Sequence, residues 1–163
     1  CKRPFLPQKN NCAVSEGMKL AERNNLPSII KDFISTHHGH GKAKYFYLKY
    51  KNENPDDQVD DLLFTYPGPN PFTREQAILM IADGVEAASR SLPEYTEKNI
   101  RDLVNRLVDG MVNDGFFREC PITFRDITYA KTVLCEKLKT IYHARVSYPV
   151  DKNANKTADK TEK

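Results

Sequence analysis

Residues 97–113 read EKNIRDLVNRLVDGMVN, and they set Ile100, Leu103, Val104, Leu107, Val108 and Met111 on one stripe. Spacings of three and four keep such residues on one face of an α-helix, whose period is about 3.6 residues. Gly115 marks the end of this helix. The segment before it, 73–92, opens on Thr73 and Gln76, the spacing of a capping box, and carries Ile78, Ile81, Ala82, Val85 and Leu92 before Pro93 closes it. The segment after it repeats the capping pattern with Thr123 and Asp126, and continues with Ile127, Ala130, Leu134, Leu138 and Ile141, stopping before Pro149.

Further upstream, Ser28 to His38 forms a helix with Ile30, Phe33, Ile34 and His37 in register, ended by Gly39 and Gly41. A short helix from Ser15 to Asn25 precedes it, and another from Lys42 to Lys51 follows. Residues 52–61 read as a solvated acidic loop. TYPGPNPF at 65–72 holds three prolines and a glycine, so it must run extended or turning across the core. No stretch alternates in the manner of a β-strand. The expected fold is all-α, with five or six helices. Its expected parts are an irregular segment at 1–13, a helical domain at 14–149 and a disordered tail at 150–163, where apolar residues almost vanish. The expected core comprises Ile30, Phe33, Ile34, Ile78, Ile81, Val85, Leu103, Leu107, Leu134 and Leu138.

The 163 residues make about one domain. With 25 Lys+Arg against 22 Asp+Glu, the net charge of +3 is too balanced for a dedicated nucleic-acid binder. The longest apolar run, Ala77 to Ala82, is far too short to span a bilayer. Cys1, Cys12, Cys120 and Cys135 include no C-x-x-C pair, so free thiols in a reducing compartment are expected. A chain opening on Cys1 reads as a piece of something longer.

Two clusters can carry chemistry. His37, His38 and His40 are three of the four histidines. His37 sits at the end of an apolar stripe, at the rim of a core, where a metal ligand belongs; the cluster equally suits a solvated helix end, complementing its dipole. Asp83, Glu86 and Arg90 share one face of their helix beside small residues. There Asp83 serves either as a hard oxygen ligand or as a surface acid next to an ordinary Glu86–Arg90 pair. Lys42, Lys44, Tyr45 and Lys49 can meet phosphate or simply face water. No glycine-rich phosphate loop and no nucleophile elbow is present.

Three stretches, LPSIIKDFISTHHG (26–39) with KYFYLKY (44–50), YPGPNPFTREQAILMIADGVEAASRS (66–91) and PITFRDI (121–127), together resemble the C-terminal part of bacterial seven-transmembrane HD-domain phosphohydrolases. The resemblance covers about residues 14 to 140. It implies an HD-domain-like helical bundle lacking the N-terminal helices of the full domain, with hydrolysis of cyclic di-AMP in the complete form. It implies divalent metal ions, manganese or iron, held in that family by an H…HD…H…HH…D set. On this template His37 and His38 match the HH element and Asp83 the closing aspartate, as metal ligands. Arg74, Glu86 and Arg90 match positions beside the site, assigned to substrate binding. The implied partner is a cyclic dinucleotide, with no nucleic acid. The implied location is cytoplasmic, with membrane attachment only through an upstream region. The sequence departs from the template in three ways: it has no His-Asp dipeptide, Ala13 stands where the family has a histidine, and Gly84 replaces the usual alanine. About half of the ligand set is therefore expected to be missing. The rival expectation is a non-catalytic helical remnant.

Overall fold

A computed structural model describes residues 8–55, 57 and 59–143. Six α-helices follow in order: α1 (Gln8–Arg23), α2 (Ser28–Thr36), α3 (Lys44–Glu53), α4 (Arg74–Ser89), α5 (Glu97–Asn113) and α6 (Phe124–His143). A short 3-10 turn occupies Asp61–Phe64. Among the described residues the one piece of β-pairing is an isolated bridge between Lys42 and Thr65. The fold is all-α, as expected. No described helix is long and apolar enough to cross a membrane.

The core is the packing of α4, α5 and α6. Ile100, Val104 and Val108 of α5 are fully buried against Ala77, Met80, Ile81 and Val85 of α4, with Ile127 and Leu138 of α6 closing the cluster. Helix α2 lies against both α1 and α4. That double contact brings the end of α2 to the middle of α4.

Both expected capping boxes form. Thr73 Oγ1 accepts from the Gln76 amide at 3.3 Å, and Gln76 Oε1 accepts from the Thr73 amide at 3.2 Å. Thr123 and Asp126 make the same reciprocal pair at 3.0 and 3.1 Å. These bonds satisfy backbone donors that a helix start otherwise leaves open.

The structure departs from the sequence reading at several points. Helix α1 begins at Gln8, so residues 8–13 are helical rather than irregular. A proline preceding a helix is no barrier to it, and QKNNC has no apolar period to signal the helix. Residues 1–7 and the 150–163 tail lie outside the described residues. Of the expected core, Ile81, Val85, Leu103 and Leu138 are buried, and Phe33, Ile34, Leu107 and Leu134 are half-buried. Ile30 and Ile78 are exposed, at 41% and 38%. The run AILMIA at 77–82 is apolar all round, so its period could not choose the inward face. Packing selects Ala77, Met80 and Ile81, which turns Ile78 toward α6.

Candidate metal centre

The site forms where α2 ends. His37 caps that helix, and its Nδ1 lies 2.8 Å from the Ile34 carbonyl oxygen. A carbonyl only accepts, so Nδ1 carries the proton of this bond, and Nε2 keeps a free lone pair. Such a bond fixes tautomer and ring orientation in metal-ligating histidines. The chain then reverses through Gly39, whose φ of +53° lies in the left-handed region that glycine adopts without strain.

The segment from Phe64 to Asn70 straps this turn in place. Phe64 O accepts from Ala43 N at 2.7 Å, Tyr66 N donates to Gly41 O at 2.9 Å, and Asn70 Oδ1 accepts from His40 N at 3.1 Å. Gly68 passes so close to α2 that a Cβ there would stand 1.9 Å from the Ser35 carbonyl oxygen.

His38 is the meeting point. Its ring packs on His37 at 4.0 Å between centroids and stacks on Tyr66 at 4.2 Å, with planes 29° apart. Its Nδ1 is 3.5 Å from Asp83 Oδ2 of α4. Burial pushes the His38 imidazole below its ordinary pKa, the neighbouring His37 adds to this, and Asp83 only partly offsets it. The contact with Asp83 is therefore that of a neutral imidazole with a carboxylate at pH 7. Neutral imidazole is the metal-binding form. Burial and the Asp83 charge push the Tyr66 phenol up, so it stays protonated.

The expected residues divide accordingly. His38 adjoins both His37 and Asp83, but among the described residues no three His, Cys, Asp or Glu side chains are grouped to hold one ion between them. The donor chemistry fits a divalent ion in part: two imidazoles and one carboxylate, with His38 neutral. Glu86 and Arg90 stand beside Asp83 on α4. There Arg90 clasps Glu86 through bonds of 3.0, 2.7 and 2.8 Å, and this clasp pushes the guanidinium pKa up, with Asp83 only a minor influence. Arg74 is not brought to the site. Nine residues along a helix is about two and a half turns, which puts it on the face opposite Asp83. Its Nε donates to the Pro121 carbonyl at 3.0 Å and it pairs with Asp126 at 3.8 Å. His40 is exposed. Sequence reasoning missed Tyr66 and Asn70, since a proline-rich strap has no period from which its neighbours can be read.

No protein-family model matches the chain. It is 40% identical over 138 residues to the cyclic-di-AMP phosphodiesterase PgpH of Listeria monocytogenes and 39% identical over 136 residues to PgpH of Bacillus subtilis, covering 85% and 83% of this chain. An uncharacterized protein of Synechocystis, slr0104, is 32% identical over 139 residues, or 83% of this chain. The chain spans only 19%, 19% and 17% of the length of these relatives. The solved HD domain of L. monocytogenes PgpH, in complex with cyclic-di-AMP, superposes with a TM-score of 0.75 at 35% identity, covering 85% of this chain and 65% of that one. A further structure of the same domain gives 0.74 at 34% identity, covering 66% of its chain. The helical fold is thus that of an HD domain. More narrowly, the chain is homologous to the HD domain of the PgpH phosphodiesterases.

Proposed function

We propose that this chain supplies the His-His and aspartate ligands of the metal centre in a cyclic-dinucleotide phosphohydrolase, acting on cyclic di-AMP in its complete form. The observation that carries this reading is the 3.5 Å approach of His38 Nδ1 to Asp83 Oδ2, with His37 against the same ring. The two histidines follow the end of α2 and Asp83 lies on α4, and nothing local in the sequence requires them to meet.

When bound, divalent ions, manganese or iron, would supply charge for the phosphoryl oxygens and a nucleophile at neutral pH. The chain's own residues orient that chemistry. His37 presents Nε2 with its other nitrogen tied to the backbone, His38 stays neutral through burial, and Asp83 adds the anionic oxygen. Arg90 lies on the Asp83 face of α4, about two turns on, where it can meet a phosphate once Glu86 yields part of its clasp. Arg74 has no part in this reading.

The test is a Mn²⁺ titration of the chain and its His37→Ala, His38→Ala and Asp83→Ala variants, with conversion of cyclic di-AMP to its linear form followed in parallel. Each substitution is expected to weaken Mn²⁺ binding by about ten-fold or more, a loss of at least about 1.4 kcal/mol. Unchanged affinity in His38→Ala and Asp83→Ala would overturn the assignment. A second reading, a helical remnant without activity of its own, is favoured by the lack of a three-ligand group among the described residues. It expects no turnover by the 163-residue chain. Metal-dependent turnover that Asp83→Ala abolishes would refute it.

A further inference from the structure

We propose that Tyr66 is a positioning residue of this centre: its ring, stacked on His38, sets the direction in which that imidazole faces Asp83. The proposal rests on the metal-centre reading above and deepens it. The rings stand 4.2 Å apart with planes only 29° from parallel, an offset-stacking geometry. Two rings pack against His38, Tyr66 stacked at 4.2 Å and His37 tilted at 4.0 Å. Of these, His37 is anchored through its own bond to Ile34. Among the described residues no hydrogen bond holds the His38 ring at good geometry, since its approach to Asp83 is 3.5 Å. Its orientation is therefore set by these two ring contacts.

Tyr66 in turn is not free to drift. Its amide is bonded to Gly41 O, the residue before it is bridged to Lys42, and two residues on Gly68 is wedged against the Ser35 carbonyl. The strap is thus stitched to both sides of the histidine turn. The stacking surface arrives as part of a backbone fixed before any ion binds. Partners that orient a ligating histidine change metal affinity by about 10–100-fold when removed, although they do not touch the ion.

The experiment compares the 163-residue chain with Tyr66→Phe and Tyr66→Leu. Tyr66→Phe keeps the ring and is expected to bind Mn²⁺ within about two-fold of the unsubstituted chain. Tyr66→Leu keeps bulk but loses the stack, and its affinity is expected to fall by about ten-fold or more. In the metal-free chain, NMR should show inter-ring contacts between Tyr66 and His38, and His38 ring protons displaced by the aromatic neighbour. That displacement should survive in Tyr66→Phe and vanish in Tyr66→Leu. Absence of the inter-ring contacts in the unsubstituted chain overturns the proposal without any variant, so a failure of Tyr66→Leu to fold leaves it decidable. Equal loss of affinity in Tyr66→Phe and Tyr66→Leu also overturns it, by assigning the effect to the hydroxyl. If the unsubstituted chain shows the ring contacts but no Mn²⁺ binding, the orientation of His38 by Tyr66 stands and the metal-centre reading fails.

Discussion

Asp83 and Gly68 show how differently single residues come to matter in this protein. Asp83 carries the chemistry we propose, and the surroundings that single it out for that role are His38 and the end of α2. Gly68 carries none, yet a side chain there would strike a backbone oxygen at 1.9 Å, which cannot swing aside. Gly68→Ala is expected to destabilise the chain by about 1–3 kcal/mol, the range for overpacking. It should also displace Tyr66 from His38. The urea midpoint and the His38 ring signals check both effects, and an unaltered midpoint would contradict the packing. Gly84 is the instructive contrast. A Cβ there would stand 2.6 Å from Met111 Cε, the far end of a flexible thioether that can move. Alanine in mid-helix gains up to about 1 kcal/mol over glycine. Gly84→Ala is therefore expected to stay within about 1 kcal/mol of the unsubstituted chain, and a loss matching Gly68→Ala would show that Met111 is immobile. The cost of Gly84 was readable from its place in a helix. The need for Gly68 was not, because Ser35 is distant in sequence.

At the scale of the element, the helix starts were the most legible features, because a cap is a contact among four consecutive residues. Thr73→Ala removes the acceptor for the Gln76 amide at the head of α4 and is expected to cost about 1 kcal/mol, measured by urea unfolding. Asp126 gives a pH test at the head of α6. Its hydrogen bonds to Thr123 hold the carboxyl below its ordinary pKa, with Arg74 a smaller influence. A lowered folded pKa contributes stability that is present above the ordinary carboxyl value and is lost as pH falls through the folded one. Asp126→Asn keeps an acceptor but removes the charge. The native chain should therefore be the more stable of the two above the carboxyl range, and the gap should close on acidification below it. Parallel stability curves across that range would contradict the assignment. The start of α1 was not legible, since its first turn, QKNNC, offers no apolar stripe. Nor was the face of α4, whose central run is apolar on every side.

The whole molecule is a three-helix core of α4, α5 and α6 with α2 laid against α4 and the strap tying α2 down. Stability should follow that arrangement rather than the periodic pattern. Ile81→Ala opens a cavity in the fully buried cluster and is expected to cost about 2–5 kcal/mol. Ile30→Ala, at a position the pattern assigns equally to the core, removes a side chain that is 41% exposed and should cost about 1 kcal/mol or less. Similar losses at the two positions, read from urea midpoints, would mean that the α2 face is covered as fully as the α4 face. By itself the sequence determined the helices, most of their ends and the stripe of α5. Each of these follows from helical spacing or from hydrogen bonds spanning three or four residues, whereas His37, His38 and Asp83 were singled out as donors only through the family resemblance. Only the tertiary structure decided that α4 turns Ile81 inward and Ile78 outward, that Asp83 meets His38 while Arg74 is held at Asp126 on the opposite face, and that Tyr66 lies over the imidazole. Those outcomes depend on which surfaces can be buried together, a long-range competition that no local spacing records.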